Sequence, residues 1–498
     1  MGLTKQYVAV DIGGGGGRTS VGSFDGKTLK LDTVGSFTND HINMNGTYYW
    51  DFLHLFGGLK NTLSQIRSTY PHELSGIGID TMGVNFGLLD IHGQMLSNPL
   101  YTRISQEREI EEFIFSIVSP EVLYNLTGLQ LTKLNSLYHI ARLLHNQSPS
   151  ILQADQFLML PDLLNYMLTG RKVSEYTIAS TSHLMNAQTK SWDNELISRF
   201  GLDRAIFPEI VKPGTIIENL SSIMTSEIGL AHTPVIATAS HDTAAALAFV
   251  PTTSDDFAYI SSGTWGMMGT DISRPLLSDQ ARDHHFANEG AAFDNIRFLH
   301  NSVNLWLLKE CKRSWREESI TYDWNELTEL ALFERPFSSY IDPQDPDFLM
   351  TRNMPDAIRL SCQKRGQQVP DSIGAVVRII YESLALKYSC VFDDLCDTIG
   401  RRPNVLHIVG GGARDDFMSQ CIANALDIRV VCGPYDATVM GNILMQMVAT
   451  REISSQKDGL EIMRDSCEMR SFVPEQHSRW SEENARYREF IKNSPVVS

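Results

Sequence analysis

The sequence predicts an α/β protein built from two related domains, and three observations carry that expectation. A chain of 498 residues is too long for a single hydrophobic core, and two domains are the natural division. Short apolar, β-branched runs alternate with stretches of helical spacing. The pattern of strand, glycine-bearing turn and strand over residues 7–24 returns over residues 257–269, which hints at two related halves facing one another. The expected domains are 1–245 and 246–498.

Each element follows from local chemistry. Tyr7-Val8-Ala9-Val10-Asp11-Ile12 reads as a buried strand ending in five glycines, and Arg18 to Phe24 as the strand that follows. Asp25-Gly26 signals a hairpin, and Leu29-Lys30-Leu31 starts the returning strand. Gly22 to Thr28 imitates a P-loop, but the first required glycine falls on Val21 and the pattern is that of a hairpin. Trp50-Asp51 opens a helix over 52–66, and residues 76–90 read as strand, polar turn and strand. There Asp80, Thr81 and Asn85 serve either turn formation or hydrogen bonding to a polyhydroxylated ligand. Helices are expected over 107–118, 134–145 and 160–169, the last with Pro161 near its start and Gly170 at its end. Residues 175–186, rich in Ser and Thr, suit a polar loop with short strands.

Beyond residue 233, Pro234 to Thr238 reads as a strand, Ala239-Ser240-His241-Asp242-Thr243 as the turn after it, and Ala244 to Ala248 as helix. Residues 257–260 and 265–269 flank the turn Ser261-Ser262-Gly263-Thr264. Helix is expected over 301–316, around Trp306, and again through 376–391, closed by Gly400. Val405 to Val409 is a strand leading into Gly410-Gly411-Gly412 and a helix over 415–426. A strand over 428–431 follows, and then a helix over 437–449 with Asp436 as its N-cap.

Composition bounds the chemistry. With 42% hydrophobic and 20% charged residues, the chain reads as an ordinary globular protein. A formal net charge of -17 disfavours nucleic acid and anionic membranes as partners, but not a small anion held by local Gly, Arg or Lys. The seven cysteines all lie in the second half without a CxxC, which suits reduced thiols. No leader-like or membrane-spanning apolar run is read, so the expected location is cytoplasmic.

The motifs point to phosphate and proton chemistry. Glycine turns let backbone N–H groups converge on anionic oxygens because no Cβ blocks the approach. Arg18 adds positive charge to the first turn, and Gly410-Gly411-Gly412 before a helix suits the adenosine side of a nucleotide or its α-phosphate. Phosphoryl transfer needs an oxygen nucleophile, a metal and charge neutralisation. Asp242 is suited to take a hydroxyl proton, the plain alternative being a helix N-cap. Asp11 is suited to hold Mg²⁺ through water. No HExxH or paired CxxC suggests zinc.

The set Asp11-Ile12-Gly13-Gly14 with Gly17-Arg18, Ala239-Ser240-His241-Asp242-Thr243, Ser261-Ser262-Gly263-Thr264-Trp265 and Val409-Gly410-Gly411-Gly412 resembles the FGGY carbohydrate kinases over nearly the whole chain. The resemblance implies two ribonuclease-H-like (actin/Hsp70-like) domains flanking a catalytic cleft. It implies transfer of the γ-phosphate of ATP, with Mg²⁺, to O1 of a deoxyketose, L-rhamnulose first and L-fuculose next, by a monomer or homodimer. Carried onto this sequence, Asp242 is the proton acceptor. Gly14, Gly15, Gly16, Gly17, Arg18, Thr264, Lys309, Gly411 and Gly412 lie on the nucleotide, and Gly83, His241, Thr243 and Asn301 on the sugar. The chain departs from the pattern in its all-glycine phosphate turn, at Met82 and Asn85, at Thr102 and Arg103, and at Lys309. A weakly active sugar- or nucleotide-sensing protein and an Hsp70-like ATPase are the readings from other classes.

Overall fold

The computed structural model describes residues 4–70, 73–101, 108–230, 232–252, 256–263, 265–349 and 351–492. The chain forms two compact units. Unit 1 comprises Met1–Pro251, Asp271–Phe298 and Asp436–Cys467; unit 2 comprises Thr252–Thr270, Leu299–Tyr435 and Glu468–Ser498.

Unit 1 is organised on a six-stranded sheet. Its strands are β1 (Lys5–Gly13), β2 (Gly16–Phe24), β3 (Leu29–Phe37), β4 (Gly76–Thr81), β5 (Thr215–Asn219) and β6 (Pro234–Ala237), paired in the order β5-β6-β4-β1-β2-β3. Tyr7 to Val10 in β1 are fully buried because both faces of the strand are covered. Val8, Val10 and Ile12 pack with Leu55, Leu59 and Leu63 of helix α1 (Phe52–Thr69), whose first turn is capped by Asp51 accepting from the His54 amide at 3.1 Å. Tyr7 and Ala9, pointing the other way, belong to a cluster that holds Ala244 and Ala245 of the short helix α2 (Asp242–Leu247) and Ile443 and Leu444 of helix α3 (Ala437–Ala449). α2 and α3 approach so closely that a Cβ on Gly441 would land on the Ala245 carbonyl oxygen.

The pairing directions place the candidate site. β1 and β4 are parallel, with Asp11 opposite Asp80, and β6 is parallel to β4. The carboxyl ends of these three strands therefore share one edge of the sheet, where Asp11, Asp80 and, just past β6, Asp242 emerge.

Unit 2 repeats the start of this arrangement. β7 (Phe257–Ser262) and β8 (Trp265–Ile272) form the hairpin, and β9 (Val405–Val409) pairs parallel to β7 with Val409 opposite Ser261. With β10 (Arg429–Cys432) and β11 (Arg470–Phe472) they form the run β8-β7-β9-β10-β11 of a seven-stranded sheet. The long helix Ile373–Ile399 ends at Gly400, whose φ of 70° is the left-handed C-cap conformation.

Several local expectations are corrected. Asn301 lies on a strand, Ile296–Val303, and the helix after it begins only at Trp306. Residues 175–186 do carry short strands, Ser174–Glu175 and Met185–Asn186, but between them lies the helix Tyr176–Ala179, and nearly all of the segment is buried. Between β9 and the helix Asp416–Leu426 the chain makes a 3₁₀ turn, Gly411–Arg414. Asp436 stands at the N-cap of α3 but makes no capping bond, because its carboxylate pairs with Arg18 instead. Thr102, Arg103 and Thr264 lie outside the described residues. All seven cysteines are free thiols. Among the described residues no helix is long and apolar enough to cross a membrane.

Candidate active site

Three carboxylates crowd the strand ends of unit 1. Asp80 is fully buried, and burial followed by the charge of Asp11 holds its carboxyl well above the usual range. Its Oδ2 accepts from Asn442 Nδ2 of α3 at 2.6 Å, while Oδ1 has no hydrogen-bond partner among the described residues. Asp11 is raised too, chiefly by burial, against the opposing charge of Arg18. Arg18 reaches across the glycine hairpin: Nε donates to Asp11 Oδ2 at 3.0 Å and Nη1 to Asp436 Oδ1 at 2.7 Å. Asp80, Thr81 and Asn85 are all buried, and their partners are protein atoms. Thr81 donates to the Met82 carbonyl, and Asn85 accepts from the Trp50 indole at 2.8 Å.

Asp242 opens α2 from within the helix, since His241 occupies the N-cap position. Its contacts converge on one oxygen. Oδ1 accepts from the Thr243 amide at 2.6 Å and the Thr243 hydroxyl at 3.2 Å, and His241 Nε2 lies 3.4 Å away. Among the described residues Oδ2 takes no hydrogen bond, and the side chain is 30% exposed. One oxygen is thus fixed and the other is open to a proton donor.

His241 is buried and is set from behind. Arg297 Nη2 lies 3.0 Å from His241 Nδ1 and donates to Glu289 Oε2 at 2.9 Å, while Arg297 Nε donates to the Gly290 carbonyl at 2.8 Å. Nδ1 also lies 3.3 Å from Glu289 Oε2, so the Arg297 guanidinium and the Glu289 carboxylate meet on this one ring nitrogen, while Nε2 faces Asp242. Burial alone would raise the Glu289 carboxyl, but Arg297 and His241 hold it below its ordinary value. A Cβ on Gly83 would sit 3.3 Å from His241 Nε2. The next residue, Val84, is held at φ 69°, with its amide on the Thr181 hydroxyl and its carbonyl on the Ser136 hydroxyl, a strained conformation for a β-branched residue.

The glycines divide into two kinds. Gly16 lies so close to the chain that a Cβ would come 2.9 Å from the Phe37 carbonyl oxygen, and a Cβ on Gly17 would collide with the Phe37 ring. In unit 2 a Cβ on Gly412 would collide with the Ser262 hydroxyl, and Gly410, at φ 87°, is packed against the Ser262 carbonyl. These glycines answer to packing. At Gly15 and Gly411, by contrast, nothing lies within 4 Å of where a Cβ would sit. Asn304 Nδ2 braces the second turn, donating to Ser262 Oγ at 2.7 Å and to the Gly263 carbonyl at 3.2 Å.

The structure thus brings Asp11, Arg18, Gly83, His241, Asp242 and Thr243 into unit 1, and places Asn301, Lys309, Gly411 and Gly412 in unit 2. Lys309 is exposed on the helix Trp306–Glu317. Sequence reasoning missed Glu289 and Arg297 as the supports of His241, and Glu175 and Thr177, which bond the backbone before Asp242. Only the Asn288-Glu289-Gly290 run offered a signal for any of them.

Residues 6–248 match the N-terminal domain of the FGGY family of carbohydrate kinases, and residues 258–450 match its C-terminal domain. The chain belongs to the FGGY family of carbohydrate kinases. Among similar FGGY proteins, a rhamnulokinase of Bacteroides thetaiotaomicron is 37% identical over 482 residues, covering 96% of this chain and 98% of the relative. A rhamnulokinase of Enterococcus faecalis is 36% identical, covering 90% of each chain. In fold, the FGGY chain is similar to a Plasmodium falciparum glycerol kinase solved with ADP (TM-score 0.80, 15% identity, 99% of each chain). It is also similar to a xylulose kinase of Lactobacillus acidophilus (TM-score 0.79, 14% identity, 98% and 99%). The protein is therefore a carbohydrate kinase, rhamnulokinase-like, of two mixed α/β domains with the actin-like fold. Kinases of the FGGY family transfer phosphate from ATP to a carbohydrate.

Proposed function

We propose that the protein phosphorylates L-rhamnulose at O1 with ATP, and that Asp242 is the general base. The observation that carries the base is the asymmetry of its carboxylate, with Oδ1 saturated by Thr243 and Oδ2 without a partner among the described residues. An acceptor oxygen held in this way takes the hydroxyl proton as the sugar oxygen attacks the γ-phosphate. The rhamnulokinase relatives support the choice of substrate, with L-fuculose as the nearest competitor. His241, Thr243, Gly83 and Asn301 are assigned to the sugar. Gly14, Gly15, Gly16, Gly17 and Arg18 take the phosphates, and Thr264, Lys309, Gly411 and Gly412 the rest of the nucleotide. Residues 1–245 then carry the phosphate contacts and the sugar contacts other than Asn301, and residues 246–498 carry the rest of the nucleotide.

Among the described residues no three His, Cys, Asp or Glu side chains are grouped as a metal cage, so the fit to Mg²⁺ rests on a single hard carboxylate donor, with water and phosphate completing the shell. Asp11 is the residue that would hold the ion, which supplies charge neutralisation for the phosphates. A complete protein cage is not required, because Mg²⁺ keeps water and phosphate ligands.

The test is a panel of L-rhamnulose, L-fuculose, L-ribulose and L- and D-xylulose with ATP and Mg²⁺, read by ADP release. The expected result is the highest kcat/KM on L-rhamnulose. A higher value on L-fuculose would replace the substrate. ADP release at the same rate without any sugar would replace the reaction.

A further inference from the structure

Resting on that kinase reading, we propose that Glu175 and Thr177 are positioning residues that fix the turn carrying Asp242. Glu175 is fully buried at the N-terminus of the helix Tyr176–Ala179 and accepts four hydrogen bonds. Two come from its own helix: the Thr177 amide to Oε1 at 2.9 Å and the Ile178 amide to Oε2 at 3.1 Å. A cap would need no more. The other two lead to the active-site turn. Oε2 accepts the Ser240 amide at 3.1 Å, and it accepts the Thr177 hydroxyl at 2.6 Å.

The threonine completes the connection. Its single hydroxyl proton goes to Glu175, so its lone pairs are left to accept, and the His241 amide donates to them at 3.1 Å. The two backbone N–H groups immediately before Asp242 are thereby tied to a segment more than sixty residues earlier in the sequence. On the other side of the turn, the Ser240 carbonyl accepts from the Thr81 amide at 2.9 Å. Behind Glu175, Asp162 Oδ1 accepts the Glu175 amide at 3.1 Å. Every atom in this chain is buried, so water does not compete for the bonds. The result is a turn whose peptide planes are set from both faces, and Asp242 Oδ2 is aimed by that setting. A base displaced by a fraction of an ångström loses alignment with the hydroxyl it must deprotonate.

The test is a mutant cycle on the full chain with L-rhamnulose and ATP. Thr177→Val keeps the shape and removes the hydroxyl; Thr177→Ser keeps the hydroxyl. We expect Thr177→Val to lower kcat by about 10-fold or more, with nucleotide affinity held within about 2-fold, and Thr177→Ser to restore most of the rate. In an Asp242→Asn background the same Thr177→Val change should alter the residual rate by less than about 2-fold, because its effect passes through the base. Full kcat in Thr177→Val, or an equal loss in both backgrounds, overturns the proposal. If Thr177→Val does not fold, Glu175→Gln is read in the same cycle with the same two outcomes. Wild-type protein that turns over no sugar overturns the kinase reading itself; active wild type with an undiminished variant overturns only the positioning role.

Discussion

Asp242 and Asn differ at the oxygen that matters. In Asp242→Asn the amide oxygen can still accept from Thr243, so the local turn survives, but the NH₂ group takes the place of the open acceptor. Turnover is expected to fall by roughly 10²–10⁴ while ATP still binds, measured by ADP release and by nucleotide titration. Unchanged turnover would take the base role away from Asp242. The same reasoning applies to Arg297, which is 1% exposed and bonds both Glu289 and His241. Arg297→Met leaves the Glu289 carboxylate buried without its cation and should cost about 3–5 kcal/mol, read from a denaturant midpoint. The place of Asp242, between a strand and a helix, could be read from the sequence because a carboxylate after an apolar strand is a local signal. Arg297 could not, since an arginine in a strand looks like a solvent-facing residue until the fold shows what covers it.

Among the elements, the glycine hairpin between β1 and β2 separates packing from ligand approach. Gly17→Ala drives a methyl into the Phe37 ring and should destabilise the protein by about 1–3 kcal/mol in urea unfolding. Gly15→Ala meets nothing within 4 Å and should leave stability close to wild type, while weakening ATP binding if the backbone there faces phosphate. Equal destabilisation by the two would remove the distinction. Both hairpins were legible in the sequence because turn chemistry acts over a few residues. The segment Glu175 to Asn186 was not. Its Ser and Thr residues look like solvent-facing groups, yet their hydroxyls are spent inside, on Glu175 and on the helix carbonyls. Asn301 was misplaced for a related reason. The apolar run Leu305 to Leu308 marks the helix well but not where the preceding strand stops.

Across the whole molecule, buried acids set the response to pH. Asp80 and Asp162 are held well above their ordinary range, and Glu175 is pushed up to about 7, in each case mainly by burial. A carboxyl whose folded pKa exceeds its unfolded value keeps a proton that the unfolded chain has lost. Stability therefore falls as pH rises from about 4.5 towards 7 and levels off above that for Glu175. Its share is on the order of 3 kcal/mol. The thermal midpoint should decline from pH 5 to pH 7.5, and Glu175→Gln should flatten that decline; a midpoint that rises over this range would contradict the burial argument. The assembly of unit 1 from three separate stretches was beyond local pattern. α3 is spelled out more than 180 residues after β6, and only the completed core shows Asn442 meeting Asp80.

The free thiols have a practical corollary. Burial raises all seven, Cys362, Cys396, Cys432 and Cys467 to about 11, so almost none is present as thiolate at neutral pH. Alkylating reagents such as iodoacetamide will therefore label the native enzyme slowly, and the onset of rapid labelling becomes a clock for its unfolding that needs neither sugar nor nucleotide.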